Sequence, residues 1–429
     1  MIVGDFATLV RGTTYKGALV GAPGPALLGL GSIVPGGGFR ADSYKTYGGE
    51  CPEKLMLVPG DLYVSLKGAT KDGEMIGSIA RVPPEVPLGR LTQDTVKLKL
   101  SRDDYKFSSY IYWLLRNPHY RAYCAGRATG SAVVALSRDD FLSYPVPEFS
   151  SARLQLTELL DAIEEKVELN RRMNETLEAM ARAIFKDWFV DFGPTRAKSD
   201  GRSPYLAPDI WALFPDRLDD HGKPIDWRIS AIGDEVDVVG GSTPSTKEPA
   251  FWGGAHAWAT PKDLSNLSVP VLLSTERSIT DAGLSQIGSG LLPEGAVLLS
   301  SRAPIGYLAI SKMPTAINQG FIAMICDGAV SNVHAWLWAQ ANIDLILQHA
   351  NGSTFQEISK KNFRPLPITV ANSDTLSAFD KTVRPLFDRI VANERESRTL
   401  DATRDILLPK LMSGEISIFP AEAMVAAAA

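Results

Sequence analysis

The 429-residue chain matches itself in four blocks that keep the same order in both halves. Residues 4–14 (GDFATLVRGTT) run against 233–243 (GDEVDVVGGST) without a gap. Residues 57–68 (LVPGDLYVSLKG) lie against 291–303 (LLPEGAVLLSSRA), which sets Gly60 on Gly295, Ser65 on Ser300 and Lys67 on Arg302. Residues 130–146 match 352–368, and 177–189 match 400–412. A period this long excludes a solenoid, whose repeats run to roughly 20–50 residues. The chain is a duplicated pair of domains.

Each copy opens with Gly- and Pro-punctuated aliphatic runs such as KLMLVPGDLYVSL and GAVLLSS, the signature of short strands. One apolar helix is expected near residues 110–116 and again near 334–349, followed by a Gly-Ser loop and a strand ending at Pro145 or Pro367. The fold class is therefore α/β (α+β), with two mixed heads at 1–150 and 226–370.

A heptad series follows each head. Leu156, Leu160, Ile163, Val167, Asn170, Asn174, Leu177, Ala181, Ile184 and Trp188 alternate spacings of four and three. Phe379, Val383, Leu386, Ile390, Asn393, Ser397, Leu400, Arg404, Leu407 and Leu411 do the same. These place long helices at 151–192 and 371–415 that pair antiparallel as a coiled coil, giving the chain an internal pseudo-twofold repeat. Such pairing sets Asn170 opposite Asn393, where two amides could satisfy each other and fix the register. The competing reading is two surface helices, each packed on its own head. Residues 193–225 read as a linker from their Pro, Gly, Asp and Ser content, with Trp211, Leu213 and Phe214 suggesting that part of it docks. The Ala-rich tail, 416–429, is expected to be flexible.

Chemistry-bearing motifs are missing. There is no GxxxxGK[ST], no HExxH and no Asp/Asn-Pro-Pro-Tyr/Phe of an amino-methyltransferase. The histidines at 119, 221, 256, 334 and 349 are scattered, and no Cys/His cluster has metal spacing. GLGSIVPGGGF (29–39) lacks the third glycine of a dinucleotide loop. Three widely spaced cysteines, no basic-then-apolar start and no apolar run near ~20 residues give the expectation of a cytoplasmic protein without a membrane span. The residues describe a binder without cofactor or metal.

Four segments carry a resemblance. They are LNRRMNETLEAMARAIFKDWFVDFGPTRAK (169–198), LLPEGAVLLSSRAPIGYLAISKMPTAINQGF (291–321), NGSTFQEISKKNFRPLPI (351–368) and TRDILLPKLMSGEI (403–416). With the linker phrase LFPDRL…GKPIDW, the sequence resembles the specificity subunit of type I restriction–modification enzymes over essentially its whole length. Residues 1–125 carry little of it, as expected of a part that reads different DNA. The resemblance implies two target-recognition domains, each reading one half of a bipartite site in double-stranded DNA. The helices, the family's central and distal conserved regions, would set the spacer between them. It implies a non-catalytic subunit in phage defence, with two adenine-methyltransferase (modification) subunits and motor-nuclease (restriction) subunits as partners. S-adenosylmethionine, ATP and Mg would belong to those partners. Two alternatives stay open: a single-chain methyltransferase or nuclease recognition module, and a scaffold that binds no DNA.

Candidate DNA contacts are small polar or basic residues at repeated positions. The loop Thr13-Thr14-Tyr15-Lys16 has its counterpart in Ser242-Thr243, where hydroxyls and amides after a glycine suit phosphate oxygens. Lys67 pairs with Ser300-Ser301-Arg302, a strand end that delivers a cation in both copies. Arg302 is the leading candidate. The Gly130-Ser131 and Gly352-Ser353-Thr354 loops read as structural. Arg40, Arg127, Lys247 and Lys262 add charge, and Asn318 and Gln319 have amides that match an adenine edge. Arg171, Arg172, Arg182 and Lys186 are candidates for partner docking on the helix. The net charge of −5 is unusual for a phosphate binder. By segment, however, 1–150 carries +3, whereas 151–192 and 226–370 each carry −3. The balance suggests a weak grip on DNA until partner subunits help enclose it.

Overall fold

The computed structural model describes residues 1–41, 43–68, 74–130, 134–352 and 356–413, with side chains through 410. Ser131, Ser353, Thr354, the side chain of Leu411 and the tail at 416–429 lie outside the described residues. Two compact units interleave along the chain: Met1–Val167 with Arg398–Ala429, and Glu168–Ser397.

The first unit is built on a four-stranded antiparallel sheet. Its spatial order is Ala7–Arg11, Thr95–Leu100, Leu62–Ser65, Ile79–Arg81. A smaller sheet joins Ala26–Leu28, Gly89–Leu91 and Met56–Leu57. Two helices, Tyr105–Leu114 and Pro118–Arg127, stand where one was expected. The break is local chemistry: Asn117 Oδ1 accepts the His119 N–H at 2.9 Å, and Pro118 takes the first helical position, where a missing N–H costs nothing.

The same strand order recurs in the second unit as Asp237–Gly240, Phe321–Ile325, Val297–Ser301, Ile305–Ser311, with Val271–Leu272 added parallel at the far edge. A three-stranded sheet joins Arg277–Ile279, Trp252–Ala259 and Thr315–Ile317. Helices Asn332–Ala341 and Ile343–Gln348 again replace a single one. The repeat extends to backbone detail. Gly60 and Gly295 turn into their strands at φ +90° and +94°, a conformation that glycine adopts without Cβ strain. Val3 N–H donates to Tyr144 O, as Ile232 N–H does to Leu366 O.

The heptad segments are single helices, Ser151–Phe185 and Ser373–Ser413, and each unit holds a stretch of both. In the first unit Leu156, Leu160 and Leu408 are buried in one core with Tyr110 and Trp113. In the second, Ala181 and Phe185 share a core with Phe379, Val383, Trp336 and Phe363. Helix-on-helix and helix-on-head packing therefore coexist at each end. Near the middle the seam is polar, with Asn170, Asn174 and Asn393 at most 4% exposed. Asn170 and Asn393 do meet, but their side-chain amides do not pair with each other. Asn170 Nδ2 donates to the Asn393 backbone carbonyl at 3.3 Å and to Glu396 at 2.9 Å, while Asn393 Nδ2 donates to Asn174 Oδ1 at 2.9 Å. The antiparallel register sets Asn393 against Asn174 and Asn170 against Ser397, one seam position from the expected pairing.

The segment between the heads is more ordered than its composition suggests. It contains helices Gly193–Ser199 and Pro208–Ala212, and Phe214 is buried with its ring 4.9 Å from that of Trp188. Among the described residues no helix is long and apolar enough to cross a membrane.

Candidate nucleic-acid interface

In each unit a tight glycine carries the chain off the sheet edge into the candidate loop. A Cβ on Gly12 would lie 1.8 Å from Thr92 O, and one on Gly241 would lie 1.9 Å from Ile317 O. No other residue fits this approach, which places the following side chains beside a strand end of the smaller sheet.

In the first unit Thr13, Thr14, Tyr15 and Lys16 are exposed. Beneath them Arg90, only 3% exposed, donates to Thr13 Oγ1 at 3.2 Å, Thr14 O at 3.1 Å and Glu50 O at 3.1 Å. Its guanidinium stacks 5.0 Å from the Tyr47 ring centroid, and the Tyr47 hydroxyl accepts the Lys16 N–H at 3.2 Å. Thr13 is thus held from inside by its hydroxyl and Thr14 by its carbonyl, while the side chains of Thr14, Tyr15 and Lys16 stay exposed. Thr13 bridges to Thr92, and the turn after it carries Asp94, which pairs with Lys67 at 3.1 Å. Lys67 in turn bridges to Ala135, which bridges to Thr129. Arg127, on the adjoining helix end, lies 3.9 Å from the Tyr123 ring centroid and 3.8 Å from Asp140. Arg40 is exposed elsewhere, on the turn after Phe39.

The second unit repeats this edge with different side chains. Ser242 N–H donates to Ile317 O at 3.1 Å, and Thr243 Oγ1 donates to Gln319 Oε1 at 2.5 Å. Asn318 turns its Oδ1 inward to the Gly320 N–H at 2.9 Å, so Gln319 is the exposed amide of the pair. Gly320 O accepts from Ser301, next to Arg302. Arg302 bridges to Glu357, which bridges to Asn351, matching the Lys67–Ala135–Thr129 arrangement one repeat earlier. Its guanidinium is 3.8 Å from the Glu357 carboxylate. Ser300 and Ser301 are buried. The Ser300 hydroxyl donates to Pro304 O and accepts the Tyr307 N–H, and Ser65 is likewise buried with its hydroxyl on Lys67 O. These serines hold the strand end, and Arg302 is what reaches the surface there. Lys247 is exposed, and Lys262 pairs with Glu276 at 2.8 Å, which raises its pKa.

Sequence reasoning missed the aromatic floor of this edge. Trp252 Nε1 donates to Ser245 O at 3.1 Å and Trp258 Nε1 to Ser242 O at 3.3 Å, so both indoles anchor the loop. Their even spacing in a strand was legible; Arg277, stacked 3.5 Å from the Trp252 centroid, was not, since strand pairing alone brings it there. On the long helix and the turn Lys186–Val190 that continues it, Arg171, Arg172, Arg182 and Lys186 all pair with nearby carboxylates, Glu168, Glu175, Glu178 and Asp191. Among the described residues no cluster of His, Cys, Asp or Glu could hold a metal ion.

Comparison with known proteins places this architecture. Residues 224–384 match the type I restriction modification DNA specificity domain. The chain is 37% identical over 184 residues to the type I restriction enzyme MjaIX specificity subunit of Methanocaldococcus jannaschii, covering 42% of each. It is 25% identical over 320 residues to the HindI specificity subunit of Haemophilus influenzae, covering 64% of this chain and 69% of that one. The match thus spans less than half of the first relative and about two thirds of the second. The S subunit of a type I restriction-modification system from M. genitalium has the same fold, with a TM-score of 0.58 at 14% identity over 96% of this chain and 95% of that one. Residues 224–384 thus carry a type I restriction modification DNA specificity domain, and the chain around it is similar to specificity subunits of type I restriction enzymes.

Proposed function

We propose that this chain is the sequence-specific DNA-recognition subunit of a type I restriction–modification complex, each head reading one half of a bipartite site. The observation that carries the reading is the repeated edge. A glycine-entered polar loop, a strand-end cation and a stem bridge recur in both units on the same sheet order. Two such edges on one chain suit a two-part site whose halves differ in sequence, because the backbone frame repeats while the side chains do not.

In this reading the chain is non-catalytic and holds no cofactor. Two adenine-methylating subunits supply S-adenosylmethionine chemistry, and motor-nuclease subunits supply ATP- and Mg-dependent cleavage, in the cytoplasm. The long helices set the gap between half-sites and dock those partners. Thr13, Thr14, Tyr15, Lys16, Lys67, Ser242, Thr243, Lys247, Gln319 and Arg302 are the contacts favoured by placement. Arg40, Arg127, Lys262 and Asn318 are secondary, and Ser300 and Ser301 support the strand end.

A mobility-shift titration of the full chain, alone and with its methylating subunit, tests the reading. Binding to duplex DNA that tightens with the partner and weakens with salt is expected. No shift under either condition would sink it. Methylation or cleavage by the isolated chain would overturn the non-catalytic assignment.

A further inference from the structure

Both units place a cation on an aromatic ring beside the candidate loop, but they use it differently. In the first, Arg90 is buried and its N–H groups are bonded to Thr13, Thr14, Glu50 and Leu91. In the second, Arg277 is exposed on the outer strand of the three-stranded sheet. Its guanidinium stacks 3.5 Å from the Trp252 centroid and 5.3 Å from that of Trp258, two indoles packed edge-to-face at 4.9 Å. None of the described residues accepts a hydrogen bond from it or pairs with it. The nearest carboxylate in sequence, Glu276, is engaged by Lys262, and Asp281 is engaged by His256 at 2.6 Å.

We propose that Arg277 is a base-reading residue of the second head and takes a guanine edge in the major groove. This rests on the DNA-recognition reading above. Stacking occupies one face of the guanidinium and fixes its plane, so the N–H fork is left open at the edge. A fork held in one plane matches a planar acceptor pair such as guanine N7 and O6, whereas a phosphate accepts from many directions and gains little from such orientation. The anchoring rings also hold the loop through Ser242 and Ser245, which ties the fork to Thr243 and Gln319 on one surface.

Selection from a random duplex library by the full chain with its methylating subunit tests this. Arg277→Ala should lose preference at one G·C position of the second half-site by roughly 5- to 150-fold while leaving the first half-site motif intact. Arg277→Lys keeps the charge and can keep the stacking but lacks the fork, so it should lose the same preference with an unchanged salt slope. Equal melting temperatures, with an intact first-half motif, show that the variants fold. An unchanged second-half motif in Arg277→Ala overturns the assignment. So does an Arg277→Lys variant that keeps the full preference, since the planar fork is then not what reads the base. A parent chain that enriches no sequence overturns the DNA-recognition reading itself, and this assignment with it.

Discussion

Asn393 donates its side-chain amide to Asn174 Oδ1 across 2.9 Å, with both residues almost fully buried in the second unit. Apolar seam positions would pack more tightly but would not distinguish one heptad register from the next. Asn393→Ala leaves the Asn174 oxygen buried without its donor, at a cost of about 1–3 kcal/mol. Adding Asn174→Ala removes the orphan and should return part of that loss. A double-mutant cycle on thermal unfolding measures the coupling, and strict additivity would show that the bond contributes nothing.

Asp161 gathers a buried cluster in the first unit. It accepts from Trp113 Nε1 at 2.8 Å, from both Arg81 terminal nitrogens at 3.2 Å and from the Ser109 hydroxyl. Burial works against the Arg81 charge, yet Asp161 and its neighbours raise the Arg81 pKa overall. Removing the carboxylate strands a buried cation, and Asp161→Ala should destabilise the first unit by about 3–5 kcal/mol. The equivalent tryptophan in the second unit, Trp336, has no such acceptor for its Nε1. Limited proteolysis should therefore show the first unit opening while the second resists.

His334 is fully buried among the rings of Phe185, Phe189 and Phe379, and neither ring nitrogen has a hydrogen-bond partner. Burial pushes its pKa down to about 4 against the upward pull of Asp380. Arg384, bound to Asp380, is the other charged group beside that carboxylate. A depressed histidine pKa means that the unfolded chain binds the extra proton first. Stability from this residue is full above about pH 6.5 and is lost as the pH falls toward 4, by roughly 3 kcal/mol. His334→Phe should flatten the pH dependence of the melting temperature in that window. A variant with the parent's slope would refute it.

If the helices set the half-site gap, a heptad inserted beside Asn170 and another beside Asn393 preserve the seam and lengthen both. Seven residues add about 10 Å at 1.5 Å each, equal to roughly three base-pair steps of 3.4 Å. Methylated-adenine sequencing in a host carrying the system should find both half-sites unchanged and the gap widened. An unaltered gap would remove the helices from that role.

Much of the fold could be read directly from the chain. The duplication, the Gly60 and Gly295 turns, the two heptad helices and their central asparagines are all local or periodic signals. The Asn117-Pro118 break is equally local and the helix expected at 110–116 stops just before it, but the mostly polar stretch that follows, HYRAYCAGR, carries no apolar signal for the second helix. The helix ends were harder to read, since the positions that face the other helix also face a head. Leu408, next to the expected Leu407, is the buried residue there.

The sequence by itself determined that two similar heads and two long helices must exist, since repetition and periodicity need no knowledge of distant contacts. Tertiary structure decided which candidate side chains reach the surface. Val297–Ser301 and Leu62–Ser65 are buried at every position, so these central strands offer no alternation from which to read an exposed face. Ser300 and Ser301 consequently turned out to be internal, while the neighbouring Arg302 emerged. Arg277 gained its indole platform from a strand 25 residues earlier in the chain, and only pairing between those strands sets that geometry.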